Sequence, residues 1–238
     1  MYGLGVRTSR GKAVQVSPNS TDGARLTPET IAAHALALAD EDGLEKLTVR
    51  RLASRIGIGT MTFYGYFRSK EEILDAMADL ALGSLVLPDR STNETPSEAI
   101  VSMANAFRQL LHDHPAVAQI LVTRVTESPQ ARRGAMEAVI DRLIASGIPG
   151  PLAVQCYGFI IIYTLGFESY QAPRNWAGDD AESDERRRQQ SHRFAALPMD
   201  EFPRLIALRD SIIDLPADSQ FEFGLQCLCA QVESLLAG

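Results

Sequence analysis

Cysteine is scarce and odd in number. Only Cys156, Cys227 and Cys229 occur among 238 residues, each inside an apolar run. A disulfide framework needs pairs at regular spacings, so a small secreted scaffold is excluded and a reducing compartment, the cytoplasm, is expected. Long apolar runs are equally few. The one long uncharged run, Pro151 to Phe167, falls short of the roughly 20 residues a membrane span needs and contains Gln155. No basic-then-apolar segment opens the chain; residues 1–25 are polar and rich in Gly, Ser and Thr and read as a mobile tail, not a signal peptide. Catalytic and cofactor motifs are lacking as well, with no Gly-rich phosphate loop, nucleophile elbow or paired carboxylates. The histidines of His112-Asp113-His114 are two apart and so point to different faces of a helix, and His192 stands alone. Neither an enzyme nor a metal or cofactor protein is indicated. Nor does any segment show the sustained alternation, with turn pairs such as Asn-Gly, that strands require.

Positive charge is short overall, with 23 Lys/Arg against 30 Asp/Glu and a net of -7. The shortage is not uniform. Residues 1–70 hold ten basic and six acidic side chains, a net of +4, whereas the remaining 168 hold 13 and 24, a net of -11. A polyanion partner at one end only is the physical meaning of such asymmetry.

Helix punctuation is abundant. Thr27-Pro28-Glu29 supplies an N-cap, a proline at the first helical position and an acid facing the helix dipole. Ile31, Ala35 and Leu38 then share a face, and Gly43 stops the helix. Thr48 caps a second helix with Leu52, Ala53 and Ile56 inward, interrupted by Gly57. A third, short helix is expected from about Gly59 to Tyr66. Ser69-Lys70-Glu71-Glu72 reads as a capping box in which Glu72 reaches back to the cap nitrogen, and Thr95-Pro96-Ser97-Glu98 as another. Pro115, Pro129, Pro151 and Pro173 fall at segment boundaries, Pro88 to Thr95 is a polar linker, and Gly178 to Gln190 is either loop or frayed helix. The fold class is all-α, with about nine or ten helices.

The second and third helices have the chemistry of a helix-turn-helix: small Ala53 for close approach, Gly57 at the turn, Ile58 and Phe63 locking the angle from inside. Phe63 and Phe67 belong inside; Thr60, Met61, Tyr64 and Gly65 share the opposite side, able to enter a major groove. Thr48, Thr62, Tyr64, Tyr66 and Lys70 suit phosphate, and Arg50 can reach a guanine edge. Taken one at a time these residues are ordinary half-buried aromatics and solvated charges; their order is what carries the reading.

Leu26 to about Leu80 resembles the N-terminal domain of the tetracycline-repressor (TetR) family of bacterial transcriptional regulators, through LTPETIAAHALALADEDGLEKLTVRRLASRIGIG and TMTFYGYFRSKEEIL. The resemblance implies a helix-turn-helix domain over residues 26–72 and a helical regulatory and dimerisation domain over 73–238. It implies base contacts from Arg50, Thr60 and Met61 and phosphate contacts from Thr48, Thr62, Tyr64, Tyr66 and Lys70 on a double-stranded DNA operator. Gly65 stands where a larger side chain is often found, which leaves the base-reading face small.

The C-terminal half resembles the family more loosely, through HDHPAVAQILV and the FPRLIAL and FEFGLQCL segments. Phe221, Leu225, Leu228, Val232 and Leu235 are spaced 4-3-4-3, a narrow heptad seam, and Leu152 to Phe167 is apolar nearly all round. The resemblance implies a homodimer joined by a four-helix bundle of two such helices per subunit; the alternative is that both are core of a single subunit. Met103, Phe107, Leu110, Leu121, Met136, Phe159, Ile162, Tyr163, Phe167 and Trp176 are able to line a cavity, and all but Leu110 and Ile162 are taken as candidate contacts. Met and Phe at helical spacing are more often plain core. The resemblance implies that such a pocket binds a small-molecule inducer, apolar or aromatic, that releases a repressor from a palindromic operator. A ligand-independent regulator, an activator, or a helical interaction module without DNA binding are the alternatives.

Overall fold

The computed structural model describes residues 26–125, 128–174, 176 and 180–238. The N-terminal tail expected over residues 1–25 lies outside the described residues. Among those described there is no strand, and nine helices run to eight residues or more: α1 (Pro28–Asp42), α2 (Val49–Ile56), α4 (Lys70–Gly83), α5 (Pro96–Asp113), α6 (Pro115–Thr123), α8 (Ala138–Ala145), α9 (Gly150–Gln171), α10 (Ala181–Ala195) and α13 (Asp218–Ala237). Four short α-helical pieces, α3 (Thr60–Phe63), α7 (Pro129–Ala131), α11 (Pro203–Ala207) and α12 (Arg209–Ile213), and a 3-10 turn at Leu44–Lys46 lie between them.

The helices start where the caps place them. The Thr27 hydroxyl accepts the Thr30 N–H at 3.2 Å, and the Thr30 side chain accepts the Thr27 N–H at 2.9 Å. Gly43 ends α1 at φ +95, a backbone conformation costly for any side chain with a Cβ. At Ser69 the expected box is displaced by one residue. Its hydroxyl accepts the Glu72 N–H at 3.2 Å, but the Glu72 carboxylate accepts the Arg68 N–H at 2.7 Å, not that of Ser69. The charged stretch after Gly178 resolves as helix: Asp180 accepts the Ser183 N–H at 2.8 Å, and Glu182 pairs with Arg186 one turn on.

Two hydrophobic cores divide the bundle, and the division does not follow the boundary expected at residues 72 and 73. The first joins α1, α2, α3, α4, α6 and α7 to Phe107, Leu110 and Leu111 at the end of α5. The second joins Ala99, Ile100, Met103 and Ala104 of α5 to α8, α9 and α13. Thus α5 belongs to both cores, and α6 packs as part of the first. Between α7 and α8, Arg132–Glu137 forms a π-helical turn. It lies so near the end of α4 that a Cβ on Gly134 would stand 2.8 Å from the Leu82 carbonyl oxygen and 3.1 Å from the Gly83 Cα. Both are backbone atoms that cannot rotate away. Gly134→Ala is therefore expected to lower the melting temperature, by the equivalent of about 1–3 kcal/mol; an unchanged or raised melt would show that the two elements can separate freely.

At 22 residues α9 is longer than the uncharged run suggested, and by length and composition alone it would cross a membrane. One face of it is committed to the bundle through Ala153, Cys156, Ile160, Thr164 and Phe167.

Candidate nucleic-acid interface and regulatory cleft

The turn between α2 and α3 is built by Gly57, in the left-handed region at φ +74, with the Ile58 N–H donating back to the Ala53 carbonyl at 3.0 Å. Leu52 and Ala53 are buried, Ile56 and Ile58 partly so against the same core. Beyond the turn α3 is a single turn of helix, shorter than expected. Gly65 marks its end, the Gly65 N–H bonding to the Thr62 carbonyl and the Tyr66 N–H to the Phe63 carbonyl in a tightened i→i+3 pattern at 3.1 and 2.9 Å.

Phe63 and Phe67 lie inside, their rings stacked with centroids 5.8 Å apart. That anchoring turns the opposite side of the segment outward. Met61 is 83% exposed and Tyr64 50%, an arrangement no packing requirement explains. Thr48, Arg50, Thr60, Thr62 and Tyr66 are also exposed and Lys70 is half-buried, so all eight sequence-predicted contacts are accessible to a ligand.

The arginines of α2 divide into two kinds. Arg55 grips Glu41 of α1 through two hydrogen bonds of 2.7 Å, and Arg51 pairs with Asp42. Arg50 makes no ion pair among the described residues and points to solvent. The Thr48 hydroxyl caps α2 by accepting the Arg51 N–H at 3.2 Å, which leaves its own proton to donate.

In the other half a cleft of about 1180 Å³ opens between α5, α6, α9 and the starts of α10 and α13. Although the larger share of its open surface is apolar, most of its lining residues are polar: Asn105, Arg108, Gln109 and His112 from α5, Gln119 from α6, Glu168, Ser169 and Gln171 from α9, then Arg174, Asp180, Ser183, Arg186 and Asp218. Leu111, Pro115, Ala118, Val122 and Ala172 supply apolar surface. Arg108 dominates its inner end, donating to Glu168 and Asp218 at 2.7 Å each while its guanidinium lies over the Phe221 and Phe167 rings.

None of the eight candidate ligand contacts lines this cleft. Met103, Phe107 and Phe167 are buried core. Phe159 and Tyr163 are partly buried and stack on each other at 5.1 Å, with Tyr163 stacked on Phe221 at 5.4 Å and donating to the Gln220 carbonyl at 2.7 Å. Leu121 packs on the first core, Trp176 donates to the Ile213 carbonyl at 3.1 Å, and Met136 faces solvent. Aromatic side chains at helical spacing here saturate one another.

The heptad seam of α13 is likewise turned inward. Phe221, Leu225 and Val232 are buried in the second core and Leu228 packs against it, whereas Leu235 is 55% exposed. The seam therefore fits the single-subunit alternative. Among the apolar side chains that α9 and α13 leave uncovered, Val154, Ile162 and Phe223 lie outside the seam, with Ile162 75% exposed.

Two sequence comparisons bear on this architecture. Residues 31–77 match the model of the bacterial regulatory proteins of the tetR family, and residues 87–236 match that of the tetracyclin repressor-like C-terminal domain. The chain belongs to the TetR family. It is thus a DNA-binding transcriptional regulator and not an enzyme. Among its TetR-family relatives, the HTH-type transcriptional repressor DrrR1 of Streptomyces coeruleorubidus is 30% identical over 242 residues, covering all of this chain and 84% of that one. The HTH-type transcriptional repressor Rv1353c of Mycobacterium tuberculosis is 27% identical, over 85% of this chain and 78% of its own. In structure the chain is similar to the TetR-family protein ActR of Streptomyces coelicolor in complex with actinorhodin, with a TM-score of 0.74 and 26% identity over 89% and 97% of the two chains.

Proposed function

We propose that this TetR-family regulator is a cytoplasmic homodimeric repressor that leaves a palindromic operator when a small molecule fills the cleft. The observation that carries the reading is the outward projection of Thr60, Met61 and Tyr64 on a turn of helix anchored by the buried Phe63 and Phe67. In this reading Arg50, Thr60 and Met61 meet base edges in the major groove, while Thr48, Thr62, Tyr64, Tyr66 and Lys70 bind phosphates. The second subunit covers the apolar face left by α9 and α13 around Ile162 and Phe223, in place of the buried seam. Two rigidly joined heads then require half-sites separated by whole helical turns. As the ActR neighbour holds actinorhodin, the cleft of this chain is read as the effector site. Its arginines, carboxylates and amides, set beside a larger apolar surface, favour an apolar or aromatic molecule that also carries hydrogen-bonding groups.

Selection from a random duplex library by the full chain tests the proposal and is expected to enrich an inverted repeat. On that duplex Tyr64→Ala with Lys70→Ala is expected to lose affinity on the order of a hundredfold, since each removes a hydrogen bond to a charged oxygen. The remaining affinity should fall less steeply with salt than that of the wild type. Enrichment of no sequence, or a double variant that binds as the parent does, would remove the assigned interface.

A further inference from the structure

Helix α6 lies between the cleft and the DNA-binding core. Pro115, Ala118, Gln119 and Val122 look into the cleft, while Ala116, Val117 and Ile120 are embedded in the core of the head. An ion pair ties each end of it to the head. At the C-terminal end Arg124 forks onto Asp75 of α4 at 2.5 and 2.7 Å. At the N-terminal end Asp40, in the last turn of α1, does two things. One carboxylate oxygen lies 2.7 Å from His114 Nδ1, and the other accepts the Ala116 N–H, in the first turn of α6, at 3.3 Å. The two clamps differ in one respect: a guanidinium keeps its charge at any pH the protein meets, and an imidazole does not.

We propose that Asp40 is a positioning residue for operator recognition: by holding the His114 ring and the start of α6 against α1 it fixes the attitude of the head, and it makes operator affinity depend on pH. In the repressor reading above this clamped arrangement is the DNA-holding one; the proposal rests on that reading.

The sign follows from the contact. The hydrogen bond with Asp40 raises the His114 pKa above the usual histidine value, outweighing the burial that would lower it. Of the charged groups facing the ring, Asp40 comes from α1 and Asp113 from α5, and both favour the protonated form. Just beyond α4, Ser84 and Leu85 line a second, smaller cleft together with His114, and α6 contributes Pro115 and Ala116, none of which titrates. In an unclamped arrangement the ring returns to its ordinary value. Protonation therefore stabilises the clamp below the ordinary histidine range, and that contribution is lost as pH rises through the raised value. The neutral ring can still donate from Nδ1, but without charge on the donor the bond is weaker.

Affinity for the selected duplex, measured at fixed ionic strength from pH 6 to pH 8.5, is expected to fall several-fold in the wild type. His114→Gln, which keeps a donor without a titrating group, and Asp40→Asn, which keeps an acceptor for the Ala116 N–H without charge, are each expected to flatten that fall. Arg124→Ala is expected to lower affinity by a similar factor at every pH. In the free protein the His114 ring, followed by NMR, should titrate at lower pH in Asp40→Asn than in the wild type. A wild-type affinity that is flat or rises with pH, or a fall retained in both variants, overturns the proposal. So does a His114 titration that Asp40→Asn leaves unmoved. Failure of the repressor reading shows differently, as the absence of any selected duplex.

Discussion

Ile162→Glu combined with Phe223→Glu is expected to convert the protein into a folded monomer with greatly weakened operator binding. In the single subunit both side chains stand in water, 75% and 59% exposed, so the substitutions cost the protomer little. In a dimer closed over that face, four carboxylates would lose their hydration without partners, each at a cost of several kcal/mol. The loss of DNA affinity then follows from joined heads becoming separate ones, which forfeits an avidity gain of about 10²–10⁴-fold. Sedimentation velocity with a circular dichroism melt separates the cases. A dimer that persists in the double variant would place the subunit contact elsewhere. Leu228→Glu would be a poorer experiment, because that side chain packs on the second core and the substitution would damage the fold before it reached any partner.

The second large effect concerns the linker between α4 and α5. Arg142 of α8 is almost closed to solvent, and so is its partner Glu94, with side-chain exposures of 9% and 5%. The guanidinium donates to the carboxylate at 3.0 Å through Nε and at 2.5 Å through Nη2, to Ser102 at 3.3 Å, and to the Pro88 carbonyl. The pair thus pins both ends of the linker. Arg142→Met leaves the buried Glu94 carboxylate with only the half-exposed Arg90, 3.8 Å away, and is expected to cost about 3 kcal/mol. That corresponds to a melting temperature lower by about ten degrees for a domain of this size. Adding Glu94→Gln should return most of the loss, since the burden lies in the orphaned charge. A single variant that melts like the parent would mean that water reaches Glu94.

Much of this molecule was legible in its sequence, and the pattern of success has a physical cause. Caps and stops are local: Thr27, Thr48, Ser69, Thr95 and Gly57 act on neighbours within four residues, so residue type at fixed spacing suffices to find them. The head is built almost wholly from such signals, and its exposed face followed once Phe63 and Phe67 were placed inside. Periodicity, by contrast, reveals that a face is buried but not what buries it. The seam through Phe221, Leu225 and Val232 was correctly seen as apolar and covered, yet α5 and α9 of the same subunit cover it. The outward face that remains, Ile162 and Phe223, sits on helices with apolar residues on several sides, where no stripe stands out. The open cleft escaped for a related reason. Large apolar side chains suggested a cavity, but they fill space, and the open cleft lies where Arg108, Glu168 and Asp218, distant in sequence, hold one another at its edge. Long-range ion pairs such as Asp40 with His114 leave no local signature at all.

The internal engagement of Arg51 and Arg55 has a consequence for how the protein moves about a chromosome. Cations free to neutralise phosphates grip every sequence alike and displace condensed counterions wherever they land. Two of the three arginines of α2 already answer to Glu41 and Asp42, so they add little to that indiscriminate hold. In the proposed reading random DNA is expected to compete less well as a result, leaving discrimination among sites to Arg50 and the small, uncharged surface around Met61.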